Sequence, residues 1–291
     1  MTSEPRIVTP RRLETAQQTA IRDLAQAATT ADRVAPLNEE ALLRLDGDQV
    51  GHVLVESGGQ LAGYAQSDPA GSSQLVVAPA QRRQGLGRAL LDEVLRRWPA
   101  TAIWAFGNLQ PARRLLTGRG FTPVRELVVM ERDLPADLAA PAAPADVTIR
   151  GFQPGDEAAV LGLNAAAFAD HPEQGRLDLA GLRQRLAQDW FDPAGLLLAF
   201  GPDQSPLGFH WTKRHPAGLG EVYVIGVAPV AAGQGLGRTL LTTGLAHLAG
   251  SGCRRVRLWV EADNTAAVSL YRTAGFSAAR SDVHYARREN P

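Results

Sequence analysis

Val77–Arg88 reads VAPAQRRQGLGR, and Val227–Arg238, 150 positions later, reads VAPVAAGQGLGR. Each copy follows a run of apolar and β-branched residues and precedes an apolar stretch of helical period. The expected local structure is therefore strand, glycine turn, helix, twice over. A helix that opens directly after glycines aims its unpaired first-turn N–H groups at a common point, and such a point suits a phosphate. Arg82 and Arg83 flank the first turn and are expected to add charge-assisted bonds to an anion, whereas the second turn has Ala232 and Gly233 at those positions. A P-loop would need Gly-Lys-Ser/Thr, and the dinucleotide fingerprint would need a third glycine where Leu90 and Leu240 stand. One Gly-x-Gly is weak evidence; its recurrence in matching surroundings is what carries weight.

The same order of elements extends outward from both turns. The first half predicts a strand near Arg6 to Val8, helices around Glu14 to Ala28 and Asn38 to Leu45, and strands at His52 to Glu56, Gln60 to Ala65 and Gln74 to Val77. A helix over Leu86 to Arg97 follows the turn. The second half repeats this with a strand at Val147 to Arg150, helices at Asp156 to Ala167 and Leu177 to Asp189, and strands at Leu196 to Phe200, Leu207 to Lys213 and Glu221 to Val227. Its turn leads into a helix over Leu236 to Ala249. Each half then closes with a strand, a helix and a Gly-Phe pair, Gly120-Phe121 and Gly275-Phe276. Between the halves lies DLPADLAAPAAPAD (Asp133 to Asp146), an Ala/Pro segment without apolar period. The expected division is a first domain over 1–134, a linker over 135–146 and a second domain over 147–291.

Composition bounds the function. Of 291 residues, 45% are hydrophobic and 21% charged, enough for two cores. Thirty basic and thirty acidic residues cancel, so no broad positive field gathers nucleic acid. The single cysteine, Cys253, makes no internal disulfide and suits a reducing compartment. No apolar run reaches the roughly 20 residues of a membrane span, and the opening MTSEPRIVTPRR lacks a signal-peptide core. The expectation is a cytoplasmic monomer without nucleic-acid or membrane partners. His210 and His215, five apart with no cysteine beside them, give no metal pattern.

The chain resembles the GNAT superfamily of acetyl-CoA-dependent N-acetyltransferases. The likeness rests on the Arg/Gln-x-x-Gly-x-Gly/Ala turn, complete as Arg82 to Gly87, and on the helix from Asn264 to Tyr271 before Gly275-Phe276. It covers both halves and implies an α/β fold of two tandem GNAT domains, each a mixed, splayed β-sheet flanked by helices. It also implies one acetyl-CoA site per domain. In the first domain the cofactor would meet Leu75, Val76, Val77, Arg83, Gln84, Gly85, Leu86, Gly87 and Arg88. In the second it would meet Ile225, Gly226, Val227, Ala232, Gly233, Gln234, Gly235, Leu236, Gly237 and Arg238, then Asn264, Thr265, Ala266, Ala267, Val268 and Ser269. Ala232 departs from the family's Arg/Gln position, leaving backbone amides to hold the pyrophosphate.

Acetyl transfer to an amine needs a route for the ammonium proton, donors for a developing oxyanion, and an acid for the departing thiolate. Glu221 opens the strand that runs into the second turn and is the candidate base, directly or through water. An α-ammonium with an ordinary pKa of about 7.7 to 8.0 needs only modest help. Tyr271, two helical turns after Asn264, is the candidate acid for the sulfur. The plain alternatives are a solvated strand-edge carboxylate and a core aromatic with a wet tip. The first half has Asn108 but Leu115 seven residues on, and its strand GSSQLVV carries no carboxylate. It is expected to bind cofactor and catalyse nothing.

The segments NAAAFADHPEQG, WFDPAGLLLAFG, LGFHWTK, GLGEVYVIGV and VEADNTAAVSLY, with DRVAPLNEE in the first half, resemble the mycothiol synthase family of two-domain GNAT enzymes. That family acetylates the cysteine amine of the cysteinyl-glucosaminyl-inositol precursor of mycothiol. The resemblance implies substrate contacts at Glu39, Glu173, Lys213 and Glu221, and at Trp259, where the family pattern has a tyrosine. Glu39 also suits a helix start by charge alone, His171 and Glu173 also read as polar loop residues, and Lys213 as a snorkelling strand end. Trp211 is expected to line the core or the sugar pocket. Two other functions stay open: a tandem GNAT acting on a different amine, such as an aminoglycoside or a protein N-terminus, and a non-catalytic acetyl-CoA-binding module.

Overall fold

The computed structural model describes residues 5–169, 175 and 177–287. Two compact units divide the chain. The first comprises residues up to Val128 together with those from Arg280 onward, and the second runs from Val129 to Ala279.

In the first unit, strands β1 (Arg6–Val8), β2 (Gly51–Ser57), β3 (Gln60–Ser67) and β4 (Ser72–Val77) form an antiparallel run. β4 then pairs in parallel with β5 (Ala102–Ala105). Helices α1 (Thr15–Asp32), α2 (Glu39–Leu43), α3 (Leu86–Arg97) and α4 (Gln110–Thr117) flank this sheet. α3 buries Leu86, Leu90, Leu91, Val94 and Leu95, the four-and-one spacing of a single helical face, against Val53, Val55, Ala62 and Ala65 of the strands. α1 turns Ile21, Leu24, Ala25 and Ala28 towards Leu54, Tyr64 and Val76. Each fully buried leucine or isoleucine is worth about 1.5 to 3 kcal/mol against exposure, so these two faces fix both layers.

The first unit is completed from two places in the sequence. β6 (Phe121–Asp133) starts in it, and the strand order continues β5-β12-β6, where β12 is Ser277–Arg287. β12 runs antiparallel to β5, with Val283 opposite Ala105, His284 opposite Trp104 and Tyr285 opposite Ile103. The His284 ring stacks on Trp104 at 4.5 Å, its Nε2 lies 2.8 Å from the Ser72 hydroxyl, and the Tyr285 hydroxyl donates to Asn108 Oδ1 at 2.8 Å. The residues from Arg280 on thus pack with the first unit, whereas the sequence division grouped all of 147–291 together.

The second unit has strand order β6-β11-β10-β9-β8-β7, with β7 (Thr148–Gly151), β8 (Leu196–Phe200), β9 (Pro206–His215), β10 (Leu219–Val227) and β11 (Arg255–Glu261). Its helices are α5 (Glu157–Ala167), α6 (Leu179–Leu186), α7 (Leu236–Gly250) and α8 (Thr265–Thr273). Trp211, 1% exposed, is a core residue on β9, packed among Trp190, Phe191 and Tyr223. Past the end of β6, Leu134 N–H donates to Arg254 O at 2.8 Å, so the Ala/Pro segment leaves from a pinned point.

Both units part their parallel strands early. β4 and β5 pair only at Ser72–Ala102 and Ser73–Ile103, although β4 continues to Val77. β10 and β11 pair at Leu219–Arg255, Gly220–Val256 and Glu221–Arg257, while β10 continues to Val227 beside β9. Each sheet is mixed and splayed.

Candidate active site

The glycine turns have nearly the same backbone. Gly85 and Gly235 are the N-caps of α3 and α7, with φ of 84° and 83°, and neither helix start is capped by a side chain. A β-carbon at either glycine would meet nothing within 4 Å, so the ground in front of each helix N-terminus is clear. The left-handed conformation excludes most side chains, and the unsatisfied first-turn amides behind it form an anion cradle. This fits the pyrophosphate of coenzyme A. The two turns differ one step earlier: Arg83 adopts φ 64° where Gly233 adopts φ 76°. Arg82 points elsewhere than the sequence reading expected. Its guanidinium holds Asp32 of α1 through two bonds of 2.7 Å, so it ties the turn to its own core and its fork is already spent.

The end of the parallel pairing distinguishes the units chemically. In the second unit Glu221 lies opposite Lys213 on β9 and level with Arg257 on β11. Its side chain is 10% exposed, and Oε2 lies 2.6 Å from His215 Nε2. Arg257 reaches the same oxygen at 3.4 Å and the same ring nitrogen at 3.2 Å. Burial pushes the Glu221 carboxyl up, but the hydrogen bond from His215 and the positive charges of Arg257 and Lys213 outweigh it. The net result is a carboxyl below its ordinary range. Lys213 Nζ lies over the rings of Trp190 and Tyr223, at 4.3 and 5.2 Å from their centroids, which holds the cation in an aromatic corner beside Glu221.

In the first unit the parallel pairing ends at Ser73, opposite Ser67 on β3 and level with Ile103 on β5. Ser67 and Ser73 hydroxyls are 2.5 Å apart, and Ser73 is 2.8 Å from Thr101 Oγ1. A closed chain of buried hydroxyls thus stands where the second unit has a carboxylate, a lysine and an arginine. It can neither accept a proton near neutral pH nor charge a neighbour.

Tyr271 lies on α8, 7% exposed, its ring edge-on to Phe276 at 5.9 Å, and burial pushes its hydroxyl up to about 12. The phenol is therefore protonated at neutral pH and carries a hydrogen to donate, as a weaker acid than an exposed tyrosine. Asn264 caps α8, accepting from Ala267 N–H at 3.0 Å, and Thr265 to Ser269 form the helix's first turns. Arg257 stacks over Trp259 at 4.9 Å, so the position where the family pattern has a tyrosine faces the Glu221 cluster through a cation–π contact. Glu39 begins α2 in the first unit, with Asn38 as its cap. Glu173, like His171, lies outside the described residues. The site thus brings Glu221, Lys213 and Arg257 together and adds His215, which the sequence reading weighed only as a metal ligand.

The comparisons with known proteins agree with this geometry. Residues 164–276 match the model of the acetyltransferase (GNAT) family, and residues 48–123 match that of an acetyltransferase (GNAT) domain. The mycothiol acetyltransferase of Thermomonospora curvata is 48% identical over 270 residues, covering 90% of this chain and 91% of that protein. The mycothiol acetyltransferase of Mycobacteroides abscessus is 43% identical over 289 residues, covering 94% and 97%. The chain belongs to the mycothiol acetyltransferase family. Among solved structures, a GCN5-related N-acetyltransferase from Sphaerobacter thermophilus superposes with a TM-score of 0.70 at 28% identity, over 96% of this chain and 94% of that one. A tandem GNAT protein from the clavulanic acid biosynthesis pathway superposes with a TM-score of 0.74 at 18% identity, over 99% of both, a likeness of fold alone.

Membership in this family makes the chain an acetyl-CoA-dependent acetyltransferase built of two GNAT domains, as expected from its sequence. No helix among the described residues is long and apolar enough to cross a membrane. Bound acetyl-CoA supplies the activated acetyl group; the first-turn amides of α7 are placed for its pyrophosphate. Beyond Glu221, β10 leaves β11 and continues beside β9 to Val227.

Proposed function

We propose that this enzyme transfers the acetyl group of acetyl-CoA to the cysteine amine of the cysteinyl-glucosaminyl-inositol precursor, the step that completes mycothiol. The observation that carries the reading is the contrast at the end of the parallel pairing. Glu221 with Lys213, His215 and Arg257 occupies it in the second unit, and Ser73 with Ser67 and Thr101 in the first. One centre is built for proton transfer and the other is not.

In this reading Glu221 draws the ammonium proton, directly or through water, and Tyr271 protonates the departing sulfur. The ammonium, once deprotonated, attacks the thioester carbonyl, whose oxygen is met by a β10 amide. Glu173, Lys213 and Trp259 hold the pseudodisaccharide, with carboxylates meeting the ammonium and donors meeting hydroxyls. The functional domains run over 1–134 and 147–291, each with its own acetyl-CoA site, the first serving as a binding scaffold. The enzyme works as a cytoplasmic monomer and calls on no metal. The support for the substrate is the names of relatives matched over nine-tenths of their length, together with the residue matches.

Coenzyme A release by the purified chain tests this, with the precursor offered beside an aminoglycoside and a peptide amine. Release that favours the precursor by a large factor is expected. Equal or better release with either competitor would contradict the substrate assignment and leave acetyl transfer standing.

A further inference from the structure

Acetylating an ammonium produces a proton: R–NH3+ and acetyl-S-CoA become R–NH-acetyl, HS-CoA and H+. Two protons leave the nitrogen, one ends on the sulfur, and the other must reach solvent at every turnover. Glu221, where the proposed chemistry first puts a proton, is a poor place to release it, because its side chain is 10% exposed. The adjoining imidazole is 22% exposed, with Nε2 2.6 Å from Glu221 Oε2. His215 also lines an open cavity of about 490 Å³ beside Asp189, Arg214, Ser251 and Cys253. One ring therefore touches both the buried carboxylate and a wet space in the same unit.

We propose that His215 is the proton exit of the acetylation site. The inference rests on the reading of Glu221 as the first proton acceptor. From the ring's Nδ1–H tautomer, with Nε2 free to accept, the proton on Glu221 Oε2 passes to Nε2 and the imidazolium gives up its Nδ1 proton to water in the cavity, leaving Nε2–H to donate to the again ionised carboxylate. One proton enters the ring and one leaves, and exchange with solvent returns the neutral ring to its starting tautomer. The charged groups around the relay fit that traffic. Arg257 from β11 reaches both Glu221 Oε2 and His215 Nε2, and keeps the carboxylate in register with the ring. Lys213 lies opposite Glu221 on β9. Asp189 and Arg214 stand at the cavity wall, where the proton is handed to water.

The test is steady-state turnover of His215→Ala and His215→Gln in weakly buffered solution, with any primary amine that the wild-type chain acetylates. His215→Ala should lose about 10²-fold in kcat, the lower end of what positioned proton transfer contributes, with the KM for acetyl-CoA unchanged. Added imidazole, a diffusible carrier that fits the cavity, should restore turnover in a saturable manner. His215→Gln keeps a donor for Glu221 but carries no proton, and should stay as slow as the alanine variant until imidazole is added. Undiminished turnover in His215→Ala overturns the proposal, as does full activity in His215→Gln, which would make the ring a positioning group for Glu221. Slow turnover that imidazole does not raise overturns it too. Because the assay uses any accepted amine, a wrong substrate assignment leaves it intact, and failure here leaves the substrate assignment intact.

Discussion

Glu221 and Ser73 are each the last residue of their unit's parallel strand pairing, and the two places differ in chemistry. The carboxylate, hydrogen-bonded to His215 and flanked by the cations Arg257 and Lys213, is held ionised despite burial; the serine is closed in a hydroxyl chain. Glu221→Gln removes the proposed proton acceptor while keeping shape and a hydrogen bond, and Tyr271→Phe removes the proposed proton donor. Each should lower kcat by about 10² to 10⁴ and leave acetyl-CoA affinity nearly unchanged, because neither touches the anion cradle. Stopped-flow or steady-state kinetics with a parallel binding titration checks it, and wild-type turnover in both variants contradicts the assignment. The place of Glu221 was legible in the sequence because it lies in the strand that enters a glycine turn. Its partners were not, since Arg257 lies 36 residues away on a different strand and meets Glu221 only through the parallel pairing. Arg82 misled for the same reason: its partner, Asp32, is 50 residues back.

Among the elements, α7 carries both the cradle and the seal beneath it. Its N-terminus is open at Gly235, and nine residues on, Gly244 leaves room for the buried His210 ring, which a β-carbon would approach to 2.1 Å. His210 Nδ1 lies 2.8 Å from Leu240 O. Loss of hydration pushes this imidazole down to about 4 from an ordinary 6.5, with the Leu240 carbonyl pulling it back and the nearby His247 adding to the fall. Between those two values the unfolded chain binds a proton that the folded one does not. The stability contribution is therefore complete above pH 6.5 and is lost as the pH falls towards 4. A gap of this size corresponds to about 3 kcal/mol in all, of which about 2 kcal/mol is gone by pH 5. Urea midpoints should fall from pH 7 to pH 5 in the wild type and fall less in His210→Asn. A midpoint independent of pH over that interval contradicts the neutral buried ring. The helices and turns of this kind were legible, α3 to the residue, because apolar period and glycine placement are local signals. β6 and β12 were not foreseen. β12 presents His284 to Trp104 and Ser72, and Tyr285 to Asn108, so much of its buried face is polar and lacks the apolar alternation by which a strand is recognised.

For the whole molecule, duplication is visible in the repeated turn and then in the repeated register: parallel pairing that stops at Ser73 and at Glu221, and helices that start on Gly85 and Gly235. The division into units is less legible, because a strand pairing such as Tyr285 with Ile103 leaves no mark in composition, whereas an Ala/Pro segment does. The central claim is that two cradles serve one reaction. The direct measurement is steady-state kinetics on Gly235→Asn beside Gly85→Asn, since asparagine tolerates the left-handed backbone better than other side chains and would stand where a β-carbon now meets nothing. Each lost bond to a charged group costs about 1.5 to 3 kcal/mol, roughly 10- to 150-fold in affinity. Gly235→Asn should raise the KM for acetyl-CoA by at least that factor or abolish turnover, and Gly85→Asn, folded and stripped of its own cofactor, should turn over like the wild type at saturating acetyl-CoA. A folded Gly85→Asn chain that is dead at saturation, or a Gly235→Asn chain that is unimpaired, would contradict the assignment of the reaction to the second unit.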